Sequence, residues 1–194
     1  DAISIGTFAT TTLRGGTVFN GFGGCVRNLG TFHLHHATVT ECHATDDPGT
    51  GASGGGGLFV GNGATSLVSD VTFQTNYTDY RGEFGGGAIA NQGDLSACRT
   101  RFVNNFAHVY GAALSTSGTA WIERSVFTQN FGNSGGCAVR VVGGSAHLVE
   151  VTVAGNAGPI AVWNMTSSAA NLVVTRSTLT HPAGPVILGA VTLQ

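Results

Sequence analysis

The chain has 194 residues, the length of one domain, with 31 glycines, 42% hydrophobic residues and only 9% charged residues. Its net charge of -2, carried with arginine as the sole strong base, excludes the basic face of a nucleic-acid-binding protein. The apolar content excludes a disordered chain, the glycines lack the strict period of collagen, and no apolar run reaches the roughly 18 residues of a membrane-spanning helix.

Residues 1–22 begin with the strand-like Ile3-Ser4-Ile5 and read as an irregular first coil. From residue 23 a glycine phrase recurs. Its forms are Gly24-Cys25-Val26-Arg27, Gly56-Gly57-Leu58-Phe59, Gly86-Gly87-Ala88-Ile89, Gly111-Ala112-Ala113-Leu114 and Gly136-Cys137-Ala138-Val139. Pro159-Ile160-Ala161-Val162 and Gly184-Pro185-Val186-Ile187 continue it more weakly. A second phrase runs in phase with it: Phe73-Gln74-Thr75-Asn76, Phe102-Val103-Asn104-Asn105 and Phe127-Thr128-Gln129-Asn130, with Asn156 continuing the asparagine. The segments between are short and rich in Val, Thr and Phe, without a helical period. Repeats of this length are the mark of stacked units. Short strands joined by tight corners give coils of roughly 25 residues, so the chain predicts an all-β parallel β-helix of about 7–8 coils, a rod roughly 35 Å long. The repeats are clearest over 23–158 and diverge over 159–194, within one domain spanning 1–194.

Stacking assigns roles to the columns. Gly24, Gly56, Gly86, Gly111 and Gly136 are expected at a corner where no side chain fits, with positive φ as one reason. Phe73, Phe102 and Phe127 are expected as an aromatic column in the core. Asn76, Asn105, Asn130 and Asn156 are expected as a ladder of amides bonded along the axis. Three residues before the Phe column stand His36, Asp70, Arg99, Arg124, Glu150 and Arg176. This predicts a solvated face with opposite charges paired at 70/99, 124/150 and 150/176, each worth at most about 1 kcal/mol.

Two long segments, 41–50 and 77–84, leave the coil at the same corner and are expected side by side, where solenoids commonly bind ligands. No cofactor is expected beyond calcium, for which Asp46, Asp47, Asp79 and Glu83 are candidates, and a weaker transition-metal site; Tyr77 and Tyr80 are candidates for stacking on a sugar. No known calcium-loop spacing is present, and a solvated loop pair is the plainer expectation. His33 and His35 share a strand face, with His43 nearby, as weak zinc or copper candidates; their spacing matches no standard zinc motif. Polysaccharide cleavage needs converging carboxylates, whereas Asp70, Asp94, Glu123 and Glu150 fall one per coil, so the expectation is a protein that is not an enzyme. Thr38, Thr72, Thr152 and Thr178 share a column, but Arg101 and Val126 interrupt it, which weighs against an ice-binding array. Cys25 and Cys137 read as one column four coils apart, roughly 19 Å, which excludes a bond between them and leaves two of three connectivities open. Asn76 and Asn164 begin glycosylation sequons, and Asn164 is the better acceptor because Asn76 belongs to the ladder.

The paired GGA[ILV] and FxxN phrases resemble the repeats of polymorphic outer membrane proteins, known as chlamydial surface adhesins and autotransporters. Gly86 to Ile89 matches the first motif fully, and Phe73 to Asn76, Phe102 to Asn105 and Phe127 to Asn130 match the second. The resemblance implies a right-handed β-helix on a cell surface. The expectation is therefore a non-enzymatic, extracellular structural or adhesive module without membrane insertion. Its partners are a further copy stacked end to end, the continuation of a longer chain, or glycans and cell-surface proteins.

Overall fold

The computed structural model describes residues 3–45, 54–79, 85–109, 111–133, 137–166, 171–182 and 184–194. They form 27 β-strands and no α-helix. One of the four coils that contribute to all four sheets illustrates the pattern. Ile89–Asn91 lies in the first sheet, Asp94–Cys98 in the second, Arg101–Val103 in the third and Phe106–Ala107 in the fourth. Each strand pairs in parallel with its counterparts in the coils before and after. The four sheets hold eight, eight, seven and four strands. The chain is a parallel β-helix, as its period predicts, and the fourth sheet occupies segments expected as loops.

The core lies inside the coil. Phe73, Phe102 and Phe127 are fully buried and stack with centroids 5.6 and 4.5 Å apart. Strand alternation sends Phe32, Leu34, Val68, Leu95, Ala97, Ile122 and Leu148 of the second sheet into the same interior. The asparagine ladder forms as expected. Asn105 Nδ2 donates to Asn130 Oδ1 at 2.9 Å and to the Phe73 carbonyl at 3.0 Å. Its Oδ1 accepts from the Asn76 backbone N–H and from Asn76 Nδ2. Asn130 and Asn156 repeat the pattern. Buried corner amides are thereby satisfied without water.

Two corners of most coils turn through left-handed residues that are not glycine; Gly15 and Gly16 in the first coil and Gly155 after Thr152–Ala154 are exceptions. Between the second and third sheets these are His36, Asp70, Arg99, Arg124, Glu150 and Arg176, with φ of 45–57°. Between the third and fourth they are Glu41, Thr75, Asn104 and Gln129. A left-handed L-residue costs roughly 1–2 kcal/mol, so the stack must hold it in place. It does so through axial backbone bonds such as Arg99 N–H to the Glu123 carbonyl at 3.1 Å.

The glycine column is corrected by one residue. Val26 pairs with Leu58, Leu58 with Ile89, Ile89 with Leu114 and Leu114 with Val139. Gly24 and Gly56 therefore stack with Gly87, while Gly86 pairs with Gly55. Positive φ holds at Gly24 and Gly111 but is not the reason for Gly56 and Gly86. There a Cβ would strike backbone, the Gly87 and Tyr77 carbonyls at Gly56 and the Ile89 carbonyl at Gly86. Gly136 lies outside the described residues. The same shift separates Cys25 from the column of Cys137.

Candidate functional site

The fourth sheet stands where the long loops were expected to begin. His43–Ala44, Tyr77–Thr78, Phe106–Ala107 and Phe131–Gly132 pair in register. Their first residues point outward and continue to Phe22, giving a column of five rings. Centroids lie 5.4 Å apart for Phe22–His43, 4.5 Å for His43–Tyr77, 5.0 Å for Tyr77–Phe106 and 5.3 Å for Phe106–Phe131. Tyr77 thus has a ring on either side. Phe106 stacks on one face and the tilted His43 ring lies against the other, which leaves little open platform for stacking on a sugar. Asp79 lies beside this column, with its Oδ2 3.5 Å from His43 Nε2. Asp46, Asp47, Tyr80 and Glu83 lie outside the described residues.

The histidines divide between two surfaces. His33 and His35 share the outer face of the second sheet, with centroids 6.2 Å apart. His35 Nδ1 lies 2.6 Å from Ser69 Oγ. Desolvation and the neighbouring Arg14 and His33 lower its pKa. His43 sits in the fourth sheet with Asp79, so the three do not converge. Among the described residues no group of three or more His, Cys, Asp or Glu side chains could hold a metal ion.

The charged corner column is solvated, as expected. Asp70 receives two bonds from Arg99, at 2.6 and 2.7 Å, and His36 Nδ1 lies 3.9 Å away. The Arg99 guanidinium holds the Asp70 carboxyl below the usual carboxylate range. Arg176 pairs with Glu150 at 2.7 Å. The expected 124/150 pair is replaced, because Arg124 bonds Glu123, its chain neighbour at the end of the second-sheet strand. Asp94 stands at the opposite end of that sheet, paired in register with Thr119 while Cys98 pairs with Glu123. A strand's length of about 13 Å thus parts Asp94 from Glu123. The threonine column Thr38, Thr72, Thr152, Thr178 forms in register and is broken by Arg101 and Val126 as read.

Three further features needed three-dimensional register. Cys25 and Cys42 form a disulfide, with Cα atoms 5.4 Å apart. Cys42 occupies the rung of the ladder next to Asn76, whose Oδ1 accepts its N–H. Cys98 and Cys137 are free thiols, and burial pushes the Cys137 pKa up to about 12. Both sequon asparagines are inaccessible: Asn76 is fully buried, and Asn164 is 2% exposed with Nδ2 donating to the Ala190 carbonyl. Asn164, expected as the better acceptor of the two, is thus buried in the folded chain as Asn76 is. It belongs to a second corner column with Asn28 and Asn91, whose amides also donate across coils.

The outer face of the second sheet also carries an exposed aromatic side chain. Trp121 is 45% exposed and stacks on His147, with centroids 4.8 Å apart and planes 18° from parallel. Its partner on the other side is Ser96, and beyond Ser96 lies Leu67, 39% exposed.

No family model matches the chain, and no solved structure matches it. Over 106 residues the chain is 31% identical to the metabotropic glutamate receptor-like protein R of Dictyostelium discoideum. The match covers 54% of this chain and 6% of that protein, so the likeness concerns a small part of a much longer chain.

Proposed function

We propose that this β-helix is a non-enzymatic structural or adhesive module of an extracellular or cell-surface protein, and that it works by adding further β-layers at its ends. The observation that carries the reading is the first coil. Ile3–Ile5, Thr10–Arg14 and Thr17–Phe19 are the edge strands of three sheets among the described residues. Between them lies an apolar recess of about 380 Å³ lined by Ile3, Leu13, Val18 and Phe19. Phe8, Phe19 and Phe22 are exposed in the same coil. An edge with unpaired backbone groups and open apolar interior is a template for another layer. That layer is either the next coil of a longer chain or a second copy stacked head to tail. The Cys25–Cys42 disulfide supports an oxidising, extracellular setting. The repeat resemblance and the partial likeness to a receptor-like protein agree with a surface location.

Sedimentation velocity over a concentration series tests this. The chain associates as concentration rises, and Leu13→Glu, which places a charge in the recess, abolishes association with an unchanged circular dichroism spectrum. A wild type that stays monomeric, or association indifferent to Leu13→Glu, contradicts stacking through this end.

A further inference from the structure

We propose that the outer face of the second sheet holds a binding slot for one sugar ring of a neutral glycan, built from Trp121, Ser96 and Leu67. Along this face the side chains of successive coils run Leu67, Ser96, Trp121, His147. The Trp121 and His147 rings are near-parallel and separated by the coil spacing, so the indole plane lies across the solenoid axis. One indole face is covered by His147. The other looks along the axis over Ser96, whose side chain is too small to reach it. The next bulky side chain in that direction is Leu67, two coils from Trp121. The gap is about 9.6 Å, twice the strand spacing. A ring in van der Waals contact on both sides needs about 7–8 Å. The slot therefore admits one ring thickness and no more.

The fourth-sheet column shows what the same stacking does without a gap. There every inner ring has a ring neighbour on both sides, stacked, tilted or edge-on. On the second sheet the series stops at Trp121, which leaves a large aromatic face exposed.

The polar groups around the slot select its occupant. Ser96 offers a hydroxyl at the floor. Asp94, exposed on the same strand, has no ion pair among the described residues and accepts from sugar hydroxyls. Thr65 and Thr119 stand beside Asp94 in register. An apolar platform with a few convergent hydroxyl and carboxylate groups suits a pyranose, which presents C–H groups on its face and hydroxyls at its rim. A phosphate-bearing ligand is opposed by Asp94 and by the net charge of -2.

The test is a tryptophan-fluorescence titration of the intact chain with cellotetraose, chitotetraose, mannotetraose and tetragalacturonate. At least one neutral tetrasaccharide gives a saturable change, and the uronate, repelled by Asp94, binds more weakly than that neutral probe. Ser96→Leu fills the slot from the solvent side without touching the core and weakens binding by about tenfold or more. Trp121→Ala abolishes binding of that probe as read by isothermal titration calorimetry, and both variants keep the wild-type circular dichroism spectrum and Tm. No saturable change with any neutral probe up to tens of millimolar overturns the slot, as does a response that survives Ser96→Leu. Neither outcome bears on stacking at the ends, which sedimentation reads separately.

Discussion

Asn105→Ala removes the middle of the ladder. The wild-type side chain makes four bonds: it accepts from Asn76 N and Asn76 Nδ2, and donates to the Phe73 carbonyl and Asn130 Oδ1. Its two ladder neighbours and Phe73 are fully buried, so water cannot replace it. The Asn76 backbone N–H is left without a partner. A buried orphan costs about 1–3 kcal/mol, and each of the other three lost bonds about 0.5–1.5, so the expected loss is about 5 kcal/mol. That is a large share of the roughly 5–15 kcal/mol typical of a domain. Urea unfolding followed by far-ultraviolet circular dichroism measures it, with the unchanged slope required of a two-state comparison. A loss under about 1 kcal/mol at unchanged slope would refute the reasoning, because it would mean that the corner is satisfied by something other than the amide ladder.

The remaining predictions concern the corners, the thiols and acid. Thr75 is β-branched at φ 53° and exposed, where the equivalent corner residue of the next coil is Asn104. Thr75→Asn should raise stability by about 1 kcal/mol in the same urea assay, by relieving left-handed strain. Alkylation at pH 8 should label Cys98 in the native protein and spare Cys137, whose burial pushes its pKa to about 12; urea should expose it, while Cys25 and Cys42 stay unlabelled until reduction. Native labelling of Cys137 at the rate of Cys98 would contradict that burial. The Asp70 carboxyl is held low chiefly by its bonds to Arg99. Its stabilising contribution is therefore complete above the ordinary carboxylate pKa of about 3.9 and is lost as pH falls through the lower folded value. Asp70→Asn should flatten the acid limb of Tm against pH by a small amount, since the pair is exposed, and leave the neutral region nearly unchanged.

The period, the Phe column and the asparagine ladder were legible because each coil repeats the same side chain at the same buried position. The register failed where side chains are absent. The four glycines at 54–57 offer nothing to distinguish one alignment from its neighbour, and a slip of one residue exchanges inside for outside. The corners at Asp70, Arg99 and Glu150 were read only as a charged face, since left-handed φ leaves no signature in such residues. Two-residue strands such as Tyr77–Thr78 are too short to show alternation, so the fourth sheet read as loop. The phrase Val39-Thr40-Glu41-Cys42 puts Cys42 in an asparagine's place in the ladder, but that placement does not say which thiol lies across the corner from it, so the Cys25–Cys42 pairing needed the structure. The gap beside Trp121 exists only once Ser96, 25 residues earlier, is known to be its axial neighbour.

Negative-stain electron microscopy of the purified chain addresses the role of the ends most directly. Stacking through the first coil predicts unbranched filaments whose axial repeat is about 38 Å, eight layers at the strand spacing of roughly 4.8 Å. Discrete single rods at every concentration would contradict it.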